Sequence, residues 1–595
     1  MQAIRSFRWL KAALISLGVV LVILVAAWFA AARWLPPRLT AYLQETVATR
    51  TDGVYRLEIG SWHFDPLGGN FEVRNIALRG DTAHFRDLQL RVRDRGQLYD
   101  IDVPVLSLRQ VNLFQALAKR QLRLAALDVL RPEVRIVIRP LEERAPPSAP
   151  VGPRHADTTA ADTTYQNPLE LYQYISNVLD VIEIGELRLI DGEVNVETWR
   201  DTTARLRFPH VTVTFEDLRI DSLTRYDQSR FFYAERFRAE ARDYYIETPD
   251  SFYNVTARRL LLASDPGTLV IDDLAVEPRY LKEEHGRRAG QEKDRYTVKL
   301  PHVKVVGLDL KRALRLRELR AESVVMDKFD LQIFRDKRER FPHEYKPLPA
   351  EALRRLPIWV GIDTLRMQNL SISYEEIGPQ SAGSGTVLFD DIEVEVTRLT
   401  NDPIALAAGA VMHVNASGRL MRASRFTSQL DFYLGDTNER FTARGELAPF
   451  ALRALNPMVE PRVFMHIESG RTERLSYELE GSNLGATGRL RLPYRDLRVS
   501  LVHKETGDTT RFAQEALSFL ANALVLKRNN PSNPRKEPRE GHIYYVRDPE
   551  KSFFNYWWKA LFSGVKDVAG VMDPRPRKNT VWEWFGIGKG EEKDN

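Results

Sequence analysis

Three adjacent acidic pairs, Asp272-Asp273, Glu375-Glu376 and Asp390-Asp391, are the residues whose types could do acid–base work. The nearest reaction would be glycoside hydrolysis, which needs two carboxyls facing each other across a cleft. Neighbours on a strand point to opposite faces, so such a pair cannot share a site by itself, and a turn or edge role is expected. The 11 histidines contain no His-Glu-x-x-His and no local cluster, which gives no metal site. Ser384, within Gly383-Ser384-Gly385, sits in a glycine-rich turn without the Gly-x-Ser-x-Gly spacing of a nucleophile elbow. No P-loop or dinucleotide fingerprint occurs between a strand and a helix. The absence of cysteine removes disulfides, thiolate ligands, a thiol nucleophile and a lipoprotein attachment residue together. No enzyme and no cofactor are expected.

These carboxylates lie in a repeated frame. One apolar ladder is written as Leu124-x-x-Leu127-x-Val129-x-Arg131-Pro132-x-Val134-x-Ile136, as Ile184-x-x-Leu187-x-Leu189-x-Asp191-Gly192-x-Val194-x-Val196, and as Ile362-x-x-Leu365-x-Met367-x-Asn369-Leu370-x-Ile372-x-Tyr374. Each copy is two runs of period-two alternation broken by a turn-forming or non-apolar pair, the spelling of a hairpin with one apolar face. A second signature recurs as Phe85-x-Asp87-Leu88-x-Leu90, Phe215-x-Asp217-Leu218-x-Ile220 and Phe389-x-Asp391-Ile392-x-Val394, with Ile271-x-Asp273-Leu274-x-Val276 a weaker copy. Stacked hairpins of this kind predict a mainly β fold, an elongated repeating antiparallel β-groove with short amphipathic helices. Its apolar lining would be Leu127, Val129, Val134, Ile136, Leu187, Leu189, Val194, Val196, Leu365, Met367, Ile372 and Tyr374, facing phospholipid acyl chains.

The segment from Ala12 to Ala32 carries no charge and follows Arg5, Arg8 and Lys11. As a helix it would span about 30 Å, enough for one N-terminal transmembrane helix, with Trp9, Trp28 and Trp34 suited to the interfaces. A cleaved signal peptide is the competing reading, since Ala30-Ala31-Ala32 fits a small-residue cleavage rule. The length of the run, and Trp34 followed by Pro36-Pro37, favour an uncleaved anchor. Behind it, 595 residues with 43% hydrophobic content and a mean hydropathy of -0.35 describe a polar-surfaced mass of several modules. The net charge of +5 is a near cancellation of 86 basic and 81 acidic residues, without an outward aromatic stripe, which disfavours nucleic acid.

The expected organisation is a cytoplasmic stub and anchor (1–34), a first groove section (35–140), a flexible insertion (141–168) centred on the Pro-, Ala-, Thr- and Asp-rich stretch 144–167, a second groove section (169–335), a third (336–505), and a helical, basic and aromatic tail (506–595). Helices are predicted over Pro168–Leu179 and Thr510–Leu526, and a basic linker holds Lys527, Arg528, Arg535, Lys536 and Arg539. In the tail, Ser552 can cap a helix that places Phe554, Trp557, Trp558, Leu561, Val565 and Val568 on one side. Two readings stay open: a helix packed on the groove end, or an interfacial helix touching a membrane or a protein partner. Trp582, Trp584 and Phe585 beyond it tip the balance toward contact.

The run Pro449-Phe450-Ala451-Leu452-Arg453-Ala454-Leu455-Asn456-Pro457, then Ile467-Glu468-Ser469-Gly470, then Gly485-Ala486-Thr487-Gly488-Arg489-Leu490-Arg491-Leu492-Pro493-Tyr494-Arg495-Asp496-Leu497-Arg498-Val499 resembles the C-terminal core of AsmA-like proteins of the Gram-negative envelope. The family's closer glycine pair is stretched here to Gly485-x-x-Gly488. The tail from His542 to Lys559 is similar to the variant of Bacteroidota-type relatives. The resemblance implies a single-pass bacterial inner-membrane protein with its bulk in the periplasm, a relative of bridge-like lipid transporters that conducts phospholipid toward the outer membrane. It implies a possible outer-membrane or periplasmic protein partner at the C-terminal tail and brings no catalytic residues. The runner-up is a non-transporting envelope scaffold regulating assembly of outer-membrane proteins or lipopolysaccharide.

Overall fold

The computed structural model describes residues 36–138 except 52, 66–68, 82–96, 113–114 and 116–118, residues 179–501 except a few single or paired positions, and residues 527–570. The chain divides into two compact units, Met1–Ala275 with Lys304–Lys311, and Val276–Val303 with Arg312–Asn595.

The first unit is built from β1 (Tyr55–Asp65), β2 (Asn70–Gly80), β3 (Gln97–Arg109), β4 (Gln121–Leu130), β5 (Glu133–Ile138), β6 (Val181–Thr198), β7 (Asp201–Ile220), β8 (Arg236–Glu247), β9 (Tyr253–Ala263) and most of β10 (Thr268–Pro278). β1, β2 and β3 pair antiparallel. β3 runs antiparallel to both β4 and β5, which in turn both run parallel to β6. From β6 to β9 the pairing is antiparallel again. Helix Pro36–Arg50 buries Leu43 and Val47, and its Thr40 Oγ1 accepts a hydrogen bond from Trp62 Nε1 of β1 at 3.4 Å.

The second unit holds most of β11 (Arg295–Val306), then β12 (Glu318–Asp327), β13 (Asp330–Asp336), β14 (Trp359–Ile377), β15 (Ser384–Thr400), β16 (Val411–Leu420), β17 (Ser424–Tyr433), β18 (Phe441–Leu447), β19 (Met465–Thr472), β20 (Leu475–Gly481), β21 (Gly485–Arg491), β22 (Tyr494–Leu501) and β23 (Glu540–Val546). β11 is antiparallel to β13, and β12 and β13 are parallel to β14. An antiparallel series follows through β15, β16, β17, β18, β20, β21 and β23. β19 and β22 form a separate two-stranded sheet.

The ladders are therefore not hairpins. The second and third copies are each one long strand, β6 and β14, and the residue read as a turn is a left-handed kink within it: Asp191 has φ 54° and Asn369 φ 53°. The register against the antiparallel neighbour shifts at that point, between Leu189 and Gly192 and between Met367 and Leu370. Two residues face one there, a β-bulge whose extra residue tolerates positive φ because it is Asp or Asn. In the first copy the kink falls at Arg131, φ 46°, and separates β4 from β5. The second signature is the same device. Asp217, Asp273 and Asp391 all have φ near 50°, between 49° and 54°, so the recurrent aspartate is a left-handed kink, and at Asp391 the register shifts as well; Asp87 lies outside the described residues.

The sheet is mixed, which corrects the expected all-antiparallel groove. Long connections, residues 139–180 and 337–358, let the chain return in the same direction as the strand it left, which a two-residue turn cannot do. Parallel pairing also sets related ladders side by side in register: Leu127 beside Leu187, Val129 beside Leu189, Val134 beside Val194, Ile136 beside Val196. Beside β14 stands a further copy that the sequence pattern did not reveal, Ala321-x-x-Val324-x-Met326-x-Lys328-Phe329-x-Leu331-x-Ile333, with Lys328 at φ 56°.

Among the described residues no helix is long and apolar enough to cross a membrane. The expected span Ala12 to Ala32 lies outside them, as do the insertion 144–167, the helix over Thr510–Leu526 and residues Trp582, Trp584 and Phe585. The fold that stands is mainly β with a large mixed sheet, and the transmembrane helix is removed from its description.

Candidate functional site

Of the twelve residues expected to line a lipid groove, four are buried and eight half-buried. Leu127, Val129, Ile136 and Val196 are buried, and Val134, Leu187, Leu189 and Val194 are half-buried. In the second unit Leu365 packs against a core that includes Val396, Met412, Leu430, Phe441 and Leu490. Met367, Ile372 and Tyr374 are half-buried, and the Tyr374 hydroxyl donates to the Glu376 carboxylate at 2.5 Å. Among the described residues no helix is long and apolar enough to cross a membrane and nothing marks a lipid-binding groove, so the expected function, an inner-membrane-anchored periplasmic conduit for phospholipid, is corrected. The expected single-pass inner-membrane placement is corrected to the same extent: none of the described helices is long and apolar enough to cross a membrane.

The acidic pairs are held by cations. Asp272 and Asp273 meet Arg259 (3.5 Å) and Arg258 (2.5 Å), and Glu375 and Glu376 meet Lys282 (2.5 Å) and Lys337 (2.8 Å). Asp390 and Asp391 meet Arg422 and Arg419, both at 3.7 Å. Beside Glu376, Arg335 makes a two-pronged contact with Asp294. Among the described residues no group of three or more His, Asp or Glu could hold a metal ion. Ser384 opens β15 opposite Ile377.

One surface remains that is built and not filled. Helix Phe553–Ala569 starts at Ser552, whose Oγ accepts from Asn555 N at 3.4 Å, and stops at Gly570 in the left-handed conformation, φ 81°. Tyr556, Ala560, Gly564 and Val568 are buried, and Phe553, Trp557, Leu561 and Val565 pack on the same core. Phe441 meets Phe553 and Tyr556 edge-on, at 5.2 and 5.8 Å between ring centres. The helix also closes the last strand: the amides of His542 and Tyr544 in β23 donate to Asp567 Oδ2 (2.8 Å) and Ser563 Oγ (3.1 Å), groups that would otherwise leave an open sheet edge. A Cβ on Gly541 would fall 2.2 Å from the Gly564 carbonyl, so the contact is backbone against backbone.

On the opposite side, Phe554 is 72% exposed, Trp558 49% and Phe562 40%. They are the exposed positions of the helix proper, four residues apart, and all are aromatic. Trp558 and Phe562 stack at 5.8 Å. The expected contact set thus divides: Phe554 and Trp558 face outward, while Trp557, Leu561 and Val565 face the core. Sequence reasoning missed Phe562, though its four-residue spacing from Phe554 and Trp558 carried the signal. The basic linker arrives at the end of this helix. The Lys527 backbone amide donates to Ala569 O (3.2 Å) and Arg539 Nη2 to Val568 O (3.0 Å), which sets the Arg539 guanidinium where the helix dipole is negative. Asn530 pins the loop, donating to Leu492 O (2.7 Å) and accepting from Arg539 N (2.7 Å). Lys527, Arg528, Arg535 and Lys536 are exposed.

No protein-family model matches the chain, and no curated protein matches it.

Proposed function

We propose that this chain is a non-catalytic β-sheet scaffold that acts by docking through the outer face of helix Phe553–Ala569. The observation that carries the reading is the exposed row Phe554, Trp558 and Phe562 on a helix whose other face is locked into the core. Covering a large apolar side chain contributes roughly 1.5–3 kcal/mol, less where part is already covered, so three together can hold a partner. The carboxylates that could have suggested hydrolysis are engaged in ion pairs, which supports a role without chemistry. The likeness of Pro449–Val499 to AsmA-like proteins supports a proposal of kinship and lends no transport activity to it.

Because the chain has no cysteine, Phe562→Cys gives a single reporter. The docking reading expects this thiol to be shielded from a small maleimide in native cells and reactive in the purified chain. Equal reactivity in both would remove the reading. A Phe554→Ala/Trp558→Ala/Phe562→Ala variant should keep its thermal midpoint, whereas Tyr556→Ala, emptying a core position, should lose about 3–5 kcal/mol.

A further inference from the structure

We infer that the occupant of this docking face is an anionic lipid surface, with Phe554, Trp558 and Phe562 entering the headgroup layer and the loop 527–539 supplying the attraction. The inference rests on the docking reading above and needs neither a spanning segment nor a groove.

The ridge from residue 554 to 562 runs along one side of the helix for about 12 Å, so a helix lying flat presents the three rings together. Aromatic side chains on one face flanked by lysines are the composition that settles at the boundary between headgroups and acyl chains. The flanking cations are in place: Lys566 Nζ lies 5.0 Å from the Phe562 ring centre and Lys559 Nζ 5.8 Å from that of Tyr545. Beyond the helix end stand the exposed Lys527, Arg528, Arg535 and Lys536, held by the Lys527 and Arg539 contacts to the last helical carbonyls. Of the acids nearby, Asp567 is engaged with His542 (2.9 Å), Glu537 with Arg491 (3.1 Å) and Glu550 with His343 (3.1 Å), and Asp548 accepts from Glu550 N (3.0 Å); the exposed Glu540 is outnumbered by the four cations of the loop. A nucleic acid shares the negative charge, but base stacking needs open ring faces, and Trp558 and Phe562 stack on each other.

The test uses the full chain with Phe562→Cys carrying an environment-sensitive fluorophore, and Ile404→Cys, 81% exposed on helix Pro403–Ala407, as the control label. Insertion elsewhere, Ala12 to Ala32 included, is silent at these positions. Phosphatidylcholine vesicles containing phosphatidylglycerol should shift the emission at 562 to the blue and allow quenching by brominated acyl chains, with no change at 404. Pure phosphatidylcholine should weaken the response. Reversing Lys527, Arg528, Arg535 and Lys536 to Glu should lower it on the order of 100-fold, at several-fold per cation. An unchanged label with anionic vesicles, a response indifferent to the four reversals, or a stronger response to single-stranded nucleic acid would each overturn the lipid assignment. If the thiol is shielded in cells while anionic vesicles leave the label unchanged, the lipid inference fails and docking stands with a protein occupant; a thiol open in cells removes both.

Discussion

In the first unit β4 and β5 run parallel to β6, and in the second β12 and β13 run parallel to β14. The backbones correspond rung for rung, with a left-handed residue at the break in every copy: Arg131, Asp191, Lys328 and Asn369. The fillings differ. In the first unit Leu127, Val129 and Ile136 are at most 2% exposed and Val196 is buried, beside half-buried Val134, Leu187, Leu189 and Val194, whereas of the matching rungs in the second unit Val324 alone is buried and Leu365, Met326, Leu331, Ile333, Met367, Ile372 and Tyr374 are half-buried. The rung that is Ile138 beside Thr198 in the first unit is Arg335 beside Glu376 in the second. The bulge fixes the path of the chain, and the faces on either side of it are then free to become a dry core or an ionic cluster.

The largest effect should come from the dry pair. Ile136→Ala or Leu127→Ala removes a side chain with nowhere for its neighbours to collapse, and should cost about 2–5 kcal/mol. Met326→Ala or Ile372→Ala, half open already, should cost less than half as much. Urea unfolding of the four variants measures this, and equal losses would break the comparison.

Next in size is the ionic rung. Asp294→Asn leaves the Arg335 guanidinium, whose pKa is raised despite burial because Asp294 and its neighbours favour the charge, without its two-pronged partner. Because each side chain keeps about a fifth of its surface, 23% and 19%, the loss should be about 2–3 kcal/mol, below that of a fully buried pair. Replacing both, Asp294→Leu with Arg335→Met, should recover most of it. A double variant as unstable as the single would show that the pair is required for folding the rung and not merely tolerated there.

A smaller effect is set by pH. Burial raises the Glu292 carboxyl above its ordinary value, and the opposing pull of Lys551, Arg335 and Lys337 does not cancel it. A carboxyl whose folded pKa is raised contributes its stability below the unfolded pKa and loses it as pH rises through the folded one. Glu292→Gln should therefore be more stable than the parent at neutral pH, by under about 1 kcal/mol for a group still in touch with solvent, and indistinguishable from it at about pH 4. Urea midpoints of the two proteins across that range give the sign directly. A gap that widened toward acid would reverse the assignment.

The period-two alternation of the ladders was legible because a bulge leaves the apolar set of each half-strand intact. The bulge itself was not, since Asp191-Gly192 and Asn369-Leu370 serve equally as turn or kink: both need positive φ, and a single strand's pattern does not say whether the chain reverses there. Parallel pairing was equally hidden, because it depends on the length of the connection and on a partner strand far away in sequence. The copy on β12 and β13 escaped notice because Ala321 stands where the others carry Leu or Ile, and Lys328 is no turn residue. On the terminal helix the apolar residues were found, but they cover most of its circumference. Which of them face outward is decided by where Phe441 and β23 sit, not by the helix's own sequence.

The smallest predicted effect sharpens the comparison most, because it separates path from filling. Lys328 and Arg131 sit at φ 56° and 46°, a conformation that costs an L-residue roughly 1 kcal/mol and costs Asp or Asn less. Glycine adopts it without strain but loses more chain entropy on folding, about 0.5–1 kcal/mol. Lys328→Gly and Arg131→Gly should thus be near neutral to slightly stabilising, by less than about 1 kcal/mol, in the ionic and the dry unit alike. Lys328→Val and Arg131→Val, which add β-branching at positive φ, should both destabilise by about 1–2 kcal/mol. Thermal midpoints of the four variants are enough to read the pattern. Parallel behaviour at the two kinks, despite their different fillings, is the outcome that a path-setting role requires; glycine tolerated in one unit and harmful in the other would tie the kink to its side-chain surroundings instead.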